Sequence, residues 1–191
     1  MDKLVGIEFM GDNLKDKLGY CGSDVTIYPL CKMIHADKAR LENNCRLFDY
    51  VFIDAGAGLR VGKYSILTWQ VLIEGGAKTE IGNRVFIGPG TKVLTSTYAL
   101  DGYYSVEFLP GDAGVIKYGD ITIEDDAYIG ANCTILPGTI IHEGAVVGAN
   151  SLVSGELEPW TIYVGTPAKP IRKREKPTEE RTELISAIDW D

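Results

Sequence analysis

A branched aliphatic residue returns every six positions through much of this chain. From Ile123 the series runs through Ile129, Ile135, Ile141, Val147 and Val153, and earlier Ile81, Ile87 and Val93 keep the same step. In "IEDDAYIGANCTILPGTIIHEGAVVGANSL" the fifth residue of each hexad is small: Ala127, Cys133, Thr139, Ala145, Ser151. The fourth is Asp126, Asn132, Gly138, Gly144 or Asn150, types that tolerate positive φ. A period of six fits neither a helix nor a long alternating strand. Three short strands closing a triangular coil do fit it. Each first-position aliphatic then points inward and stacks on its counterpart one coil above, which stabilises by about 1.5–3 kcal/mol per residue. Successive coils pair at a strand spacing of about 4.8 Å. The expected fold class is all-β, a parallel β-helix.

The phase continues upstream. Leu41, Leu47 and Ile53 form one run, and Val61, Leu67 and Ile73 another, displaced by two residues. A second two-residue slip leads to Ile81, and "DAGAGLR" and "EGGAKTE" mark the slips. Fourth positions in these coils are Asn44, Tyr50, Gly56, Gln70, Gly76 and Gly90. The rhythm stops between Val93 and Ile123, which predicts an excursion loop over about 98–120. Residues 1–20 are expected to cap the open end, 21–165 to form the β-helix, and 166–191 to hold a basic segment and a C-terminal helix. Pro177, Thr178, Glu179 and Glu180 suit the helix start, and Leu184, Ile185 and Ile188 an apolar stripe that docks on the prism or a neighbouring subunit.

A formal charge of −8 over 191 residues argues against general nucleic-acid binding. No apolar run approaches membrane-spanning length, and the first residues lack a signal peptide's apolar region. A cytoplasmic protein without nucleic-acid or membrane partners is therefore expected. Four cysteines without CxxC spacing read as buried thiols, and with only two His no metal site is expected.

"IGANCTILPGTIIHEGAVVGANSLV" followed by "VGTPAKPIRKR" resembles the hexapeptide-repeat acyltransferases, over roughly residues 21–174. The closest branch in pattern holds galactoside, maltose and xenobiotic O-acetyltransferases and sugar acetyltransferases of surface-polysaccharide pathways. This resemblance implies a left-handed β-helix, a homotrimer, and acetyl-CoA as co-substrate in a groove between neighbouring prisms. By position, Ala131 and Ala149 resemble residues whose backbone meets the pantetheine arm, where small side chains permit close approach. Ser154 resembles a nearby cofactor contact. Lys169 and Arg172 resemble the basic residues that meet the CoA phosphates.

The family's general base is a His in a stretch resembling T-x-T-H, and that position here is Tyr98. An Asn of the family pattern is Thr68 here. A phenol would cost about 4 kcal/mol to ionise at pH 7, whereas a His is available as a base. A hydroxyl acceptor must lose its proton as it attacks; a neutral amine already carries a nucleophilic lone pair. The missing His therefore points toward N-acetylation, and the resemblance, through family members that acetylate nucleotide-linked amino sugars without this His, implies such a sugar as acceptor. Asp101, His142, and beyond them Glu107 and Asp112, are candidates to handle the proton. Asp101 also precedes Gly102, a pair that marks tight turns. Tyr98, Tyr103, Tyr104, Phe108 and Tyr118 give the loop an aromatic character suited to stacking on a sugar or base, or to packing. Two alternatives stand beside this reading: an O-acetyltransferase whose base is Asp101 or His142, and a non-catalytic scaffold.

Overall fold

The computed structural model describes residues 9–102, 104 and 114–187. Tyr103, Glu107, Phe108, Asp112 and Ile188 lie outside the described residues. The hexads form strands of mostly two or three residues, gathered into sheets of seven, eight and six strands that are parallel throughout except for the last strand of the eight. The pairing register reproduces the sequence period in space. In the first sheet Leu41 pairs with Val61, Val61 with Ile81, Ile81 with Ile123 and Ile123 with Ile141. The second sheet aligns Leu47, Leu67, Ile87, Ile129 and Val147. The third aligns Ile53, Ile73, Val93, Ile135 and Val153. All of these residues are buried. The result is the expected parallel β-helix, a three-sided prism with its interior lined by branched aliphatics. Leu14, on a 3-10 helix over Gly11–Lys17, adds to the same core at the open end.

Asn44, Tyr50, Gln70, Gly90, Asp126, Asn132, Gly138, Gly144 and Asn150 all take positive φ, as their hexad position requires. Gly56 and Gly76 do not. Their corners carry the two-residue slips, and at the first of them Gly58 takes the bend at φ 122°. Those slips also explain the rhythm across the loop. The corner from third to first sheet takes eight residues between inward positions at 53–61 and 73–81, and thirty at 93–123. The excursion thus adds twenty-two residues to an eight-residue corner. Its return in phase is a coincidence of slip plus loop, not an omission of whole hexads.

The small fifth positions serve the corners. Ser65 Oγ donates to the Gly82 carbonyl at 2.7 Å and accepts from Val85 N at 2.9 Å. Thr91 Oγ1 donates to Gly130 O at 2.9 Å and accepts from Cys133 N, and Cys133 Sγ donates to Gly148 O at 3.2 Å. A larger side chain would displace these bonds between coils. Burial pushes the Cys31 and Cys45 thiols up to about 12, so both stay protonated and inert.

One inward position lacks a partner. Thr79, 1% exposed and in register with Leu59 and Ile121, leaves its hydroxyl without a hydrogen bond. An unsatisfied buried hydroxyl costs about 1–3 kcal/mol. Thr79→Val keeps the shape and removes that group, so urea unfolding should show a gain of about 1 kcal/mol. An unchanged or lower midpoint would mean that the hydroxyl is satisfied in solution.

After the last coil the strand Lys169–Lys173 returns antiparallel to Thr161–Val164 and extends the second sheet. A helix follows over Glu179–Ser186, with Thr178 Oγ1 accepting from Arg181 N as its cap. The expected apolar docking stripe is not a buried face. Leu184 is 65% and Ile185 38% exposed, and the helix only borders a cleft shared with Trp160 and Arg84.

Candidate active site

The corner between the second and third sheets is stripped of side chains in its upper coils. Gly88, Gly130 and Gly148 stack in register there, followed by Pro89, Ala131 and Ala149. A Cβ on Gly130 would lie 2.5 Å from Ala149 N, and one on Gly88 2.7 Å from Ala131 N. Coil stacking itself therefore demands these glycines. Elsewhere the side chain one coil above caps the corner amide: Ser23 N donates to Asn43 Oδ1, Lys63 N to Asn83 Oδ1, and Asn83 N to Asp125 Oδ1. Above Ala131 stands Ala149, which has no acceptor to offer. Among the described residues neither Ala131 N–H nor Ala149 N–H finds a hydrogen-bond partner. Two open amides thus sit one coil apart on a smooth edge, matched to a ligand with spaced carbonyls.

Basic residues finish the same edge. Val164 Cγ1 covers Gly148, and Lys169 pairs with Val164. Arg172 lies further along that strand, opposite Ile162. Both are exposed, and neither forms an ion pair among the described residues, whereas Lys173 bonds Glu158 at 2.7 Å. Ala131, Ala149 and Lys169 are therefore brought together as the sequence pattern implied. Ser154 is not. It follows Val153 on the opposite edge of the third sheet.

That opposite edge carries the excursion. Ser96–Tyr98 pairs antiparallel with Ile116–Tyr118 as a ribbon springing from the corner. The ribbon root is tied down by Gly119 N donating to Thr95 O, Thr95 Oγ1 to Glu74 O, and Lys78 N to Asp120 Oδ1. A cavity of about 430 Å³ opens between ribbon and prism, lined by Glu74, Ser96, Thr97, Tyr98 and Ile116. Tyr98 is thus in place at this cavity. Asp101 is not among the lining residues: it is exposed in a bend before Gly102, whose φ is 77°. Thr68 is buried and its hydroxyl is committed to the Ile87 carbonyl at 2.8 Å. Sequence reasoning missed Glu74. It heads the "EGG" slip, and the excursion that meets it starts only after Val93, so no local pattern in the sequence singles it out.

His142 lies at a third place, the corner from first to second sheet. Nδ1 is 3.0 Å from Glu124 Oε1 and Nε2 2.6 Å from Glu156 Oε1. The hydrogen bond it donates to Glu156, and then that to Glu124, raise its pKa above 6.5. With both ring nitrogens held by carboxylates on neighbouring coils, His142 has no free nitrogen to act as a general base, and among the described residues the ribbon is not one of its contacts. Because the folded pKa exceeds the unfolded one, His142 contributes stability fully below about pH 6.5, and loses it as pH rises through the raised value. The melting difference between wild type and His142→Gln should therefore shrink from pH 6 to pH 9. A pH-independent difference would refute the charged clamp.

Comparison with known proteins fits this geometry. The family model "Bacterial transferase hexapeptide (six repeats)" matches residues 120–155. A dTDP-4-amino-4,6-dideoxy-D-glucose acyltransferase from Escherichia coli is 30% identical over 178 residues, covering 91% of this chain and 86% of that protein. The chain belongs to the hexapeptide-repeat acyltransferases. Within that family, a putative acetyltransferase from Schizosaccharomyces pombe is 37% identical over 123 residues, and the match spans 64% of this chain and 56% of that protein. A crystallised variant of AntD, an N-acyltransferase from Bacillus cereus in complex with dTDP-4-amino-4,6-dideoxyglucose and coenzyme A, superposes with a TM-score of 0.83 at 24% identity. It covers 91% of this chain and 94% of its own, a likeness of fold. The acyltransferase class expected from the repeats and the VGTPAK tail therefore holds. No helix among the described residues is long and apolar enough to cross a membrane.

Proposed function

We propose that this hexapeptide-repeat protein transfers the acetyl group of acetyl-CoA to the amine of a nucleotide-linked amino sugar. The observation that carries this reading is the ribbon cavity, whose described lining residues present a carboxylate, hydroxyls and a phenol but no imidazole. Among those residues a hydroxyl acceptor would find no histidine to take its proton. An amine needs none before it attacks. Its nitrogen forms a bond to the thioester carbonyl carbon, the C–S bond breaks, and the proton shed by nitrogen ends on the CoA thiolate. The printed substrates of the E. coli relative and of the B. cereus complex, both dTDP-linked amino sugars, favour the same acceptor class.

The open amides of Ala131 and Ala149 would take the pantetheine carbonyls, and Lys169 and Arg172 the phosphates. Carrier edge and acceptor cavity lie on opposite edges of the third sheet, which favours sites completed by a neighbouring copy in a homotrimer. Cytoplasm, where acetyl-CoA and nucleotide sugars are available, is the natural location. Acetyl-CoA should be incubated with a panel of nucleotide-linked amino and hydroxy sugars, with sedimentation equilibrium on the same sample. Turnover of hydroxy sugars while every amine is ignored would sink the acceptor assignment, and an active monomer would sink the shared site.

A further inference from the structure

We propose that Glu74, rather than Asp101, is the carboxylate that recognises the acceptor amine, and so determines specificity for amino over hydroxy sugars. This inference rests on the acceptor class proposed above and adds the residue that reads it. Glu74 follows the inward Ile73 at the end of a third-sheet strand, directly under the ribbon. Its Oε1 accepts from Ser96 Oγ at 2.7 Å and its Oε2 from Ser96 N at 3.1 Å. An ionised carboxylate has about four lone-pair positions. Ser96 takes two, which leaves acceptor capacity on a residue that lines the cavity. The group is therefore held in one orientation and still has acceptor capacity toward the space where a sugar would sit.

The surroundings fix that orientation. On the next two positions the chain has glycines, and the ring of Tyr118 lies so close over Gly76 that a Cβ there would be 2.7 Å from it. Ribbon and carboxylate are thereby locked from both sides, one by hydrogen bonds and one by contact. Thr97, Tyr98 and Ile116 complete the lining with a hydroxyl, a phenol and an apolar wall. Such a set suits a sugar ring with one nitrogen directed at Glu74. A charge-assisted bond from N–H to a carboxylate is about twice as strong as its neutral counterpart. An acceptor that binds as the ammonium adds a full opposite charge to that bond, which a neutral hydroxyl in the same place lacks, and it releases that extra proton to solvent before it attacks.

Glu74→Gln separates recognition from clamping. Glutamine keeps one oxygen that accepts from Ser96 and gives up the charge and the second Ser96 bond, whereas Glu74→Ala removes the charge and both bonds. With acetyl-CoA and dTDP-4-amino-4,6-dideoxyglucose as probes, Glu74→Gln should raise the acceptor KM at least tenfold and leave the acetyl-CoA KM within twofold. Inhibition by the 4-hydroxy counterpart of the sugar should be unchanged in Glu74→Gln and weakened in Glu74→Ala. A Gln variant that matches wild type while Ala fails would reduce Glu74 to a ribbon clamp and overturn the proposal. Equal losses for both substrates would overturn it as well. Calorimetry keeps the two readings apart: amine binding that depends on Glu74 without transfer refutes the acetyl-transfer assignment alone. A wild type that neither binds nor acetylates the amine refutes both.

Discussion

Gly130→Ala is expected to lower stability by about 3 kcal/mol, the upper part of the range for overpacking, and to weaken acetyl-CoA binding by at least tenfold. The added methyl would meet Ala149 N at 2.5 Å, Ala149 Cα at 2.9 Å and Gly148 C at 3.0 Å. All three are backbone atoms of the next coil, so no flexible side chain can yield. Relief requires the coils to part where Gly130 N bonds Val147 O at 2.8 Å and Asn150 N bonds Ala131 O at 2.9 Å. Parting them also moves the two open amides relative to each other. Thermal unfolding and calorimetry with acetyl-CoA read the two effects. Gly102→Ala is a useful contrast, because its φ of 77° strains any side chain while a Cβ there meets nothing within 4 Å. Wild-type stability and affinity for Gly130→Ala would refute the close stacking of this edge.

The second large effect belongs to the core. Ile129→Ala should cost about 4 kcal/mol, within the 2–5 kcal/mol seen for truncating buried aliphatics. Ile129 is 0% exposed and stands between Ile87 and Val147. Backbone bonds hold its coil on both sides, with Gly88 N donating to Ile129 O and Gly130 N to Val147 O, each at 2.8 Å. A cavity between such fixed layers cannot collapse, so the loss should approach its full size. The adjacent Tyr128 points outward, where it stacks on Phe86 at 5.1 Å between centroids. Tyr128→Ala should cost no more than about 1.5 kcal/mol, in line with the worth of one aromatic pair beyond its burial. Urea unfolding at one fixed protein concentration compares them, since assembly would shift both midpoints. Equal losses at 128 and 129 would contradict the inward–outward alternation.

How far the sequence discloses this molecule depends on the range of the interaction. The inward aliphatics are legible because every coil repeats the same local problem, and Ile81, Ile123 and Ile141 solve it alike. The left-handed corners at Asn132 and Asn150 are legible for the same reason. Gly56 and Gly76 misled because glycine satisfies both a positive φ and a close contact; at Gly76 the contact is with a Tyr118 that arrives forty-two residues later. Glu74 escaped notice because its role exists only through Ser96, twenty-two residues on. His142 is a candidate base in the sequence, but its two carboxylate neighbours come from other coils and occupy both of its ring nitrogens. Ala131, Ala149 and Lys169 were singled out through the resemblance. That the Ala131 and Ala149 amides have no side chain above to cap them appears only in three dimensions.

The eight-residue corner from third to first sheet recurs before the ribbon departs from it, and the six-residue corner from second to third sheet never lengthens. Variation in chain length is thus confined to one vertical seam of the prism. Inserted segments can grow there without shifting the rungs above or below, because each rung touches only its neighbours. A lineage built on this frame can exchange the ribbon, proposed above to choose the acceptor, while the edge proposed to hold the thioester carrier stays as it is.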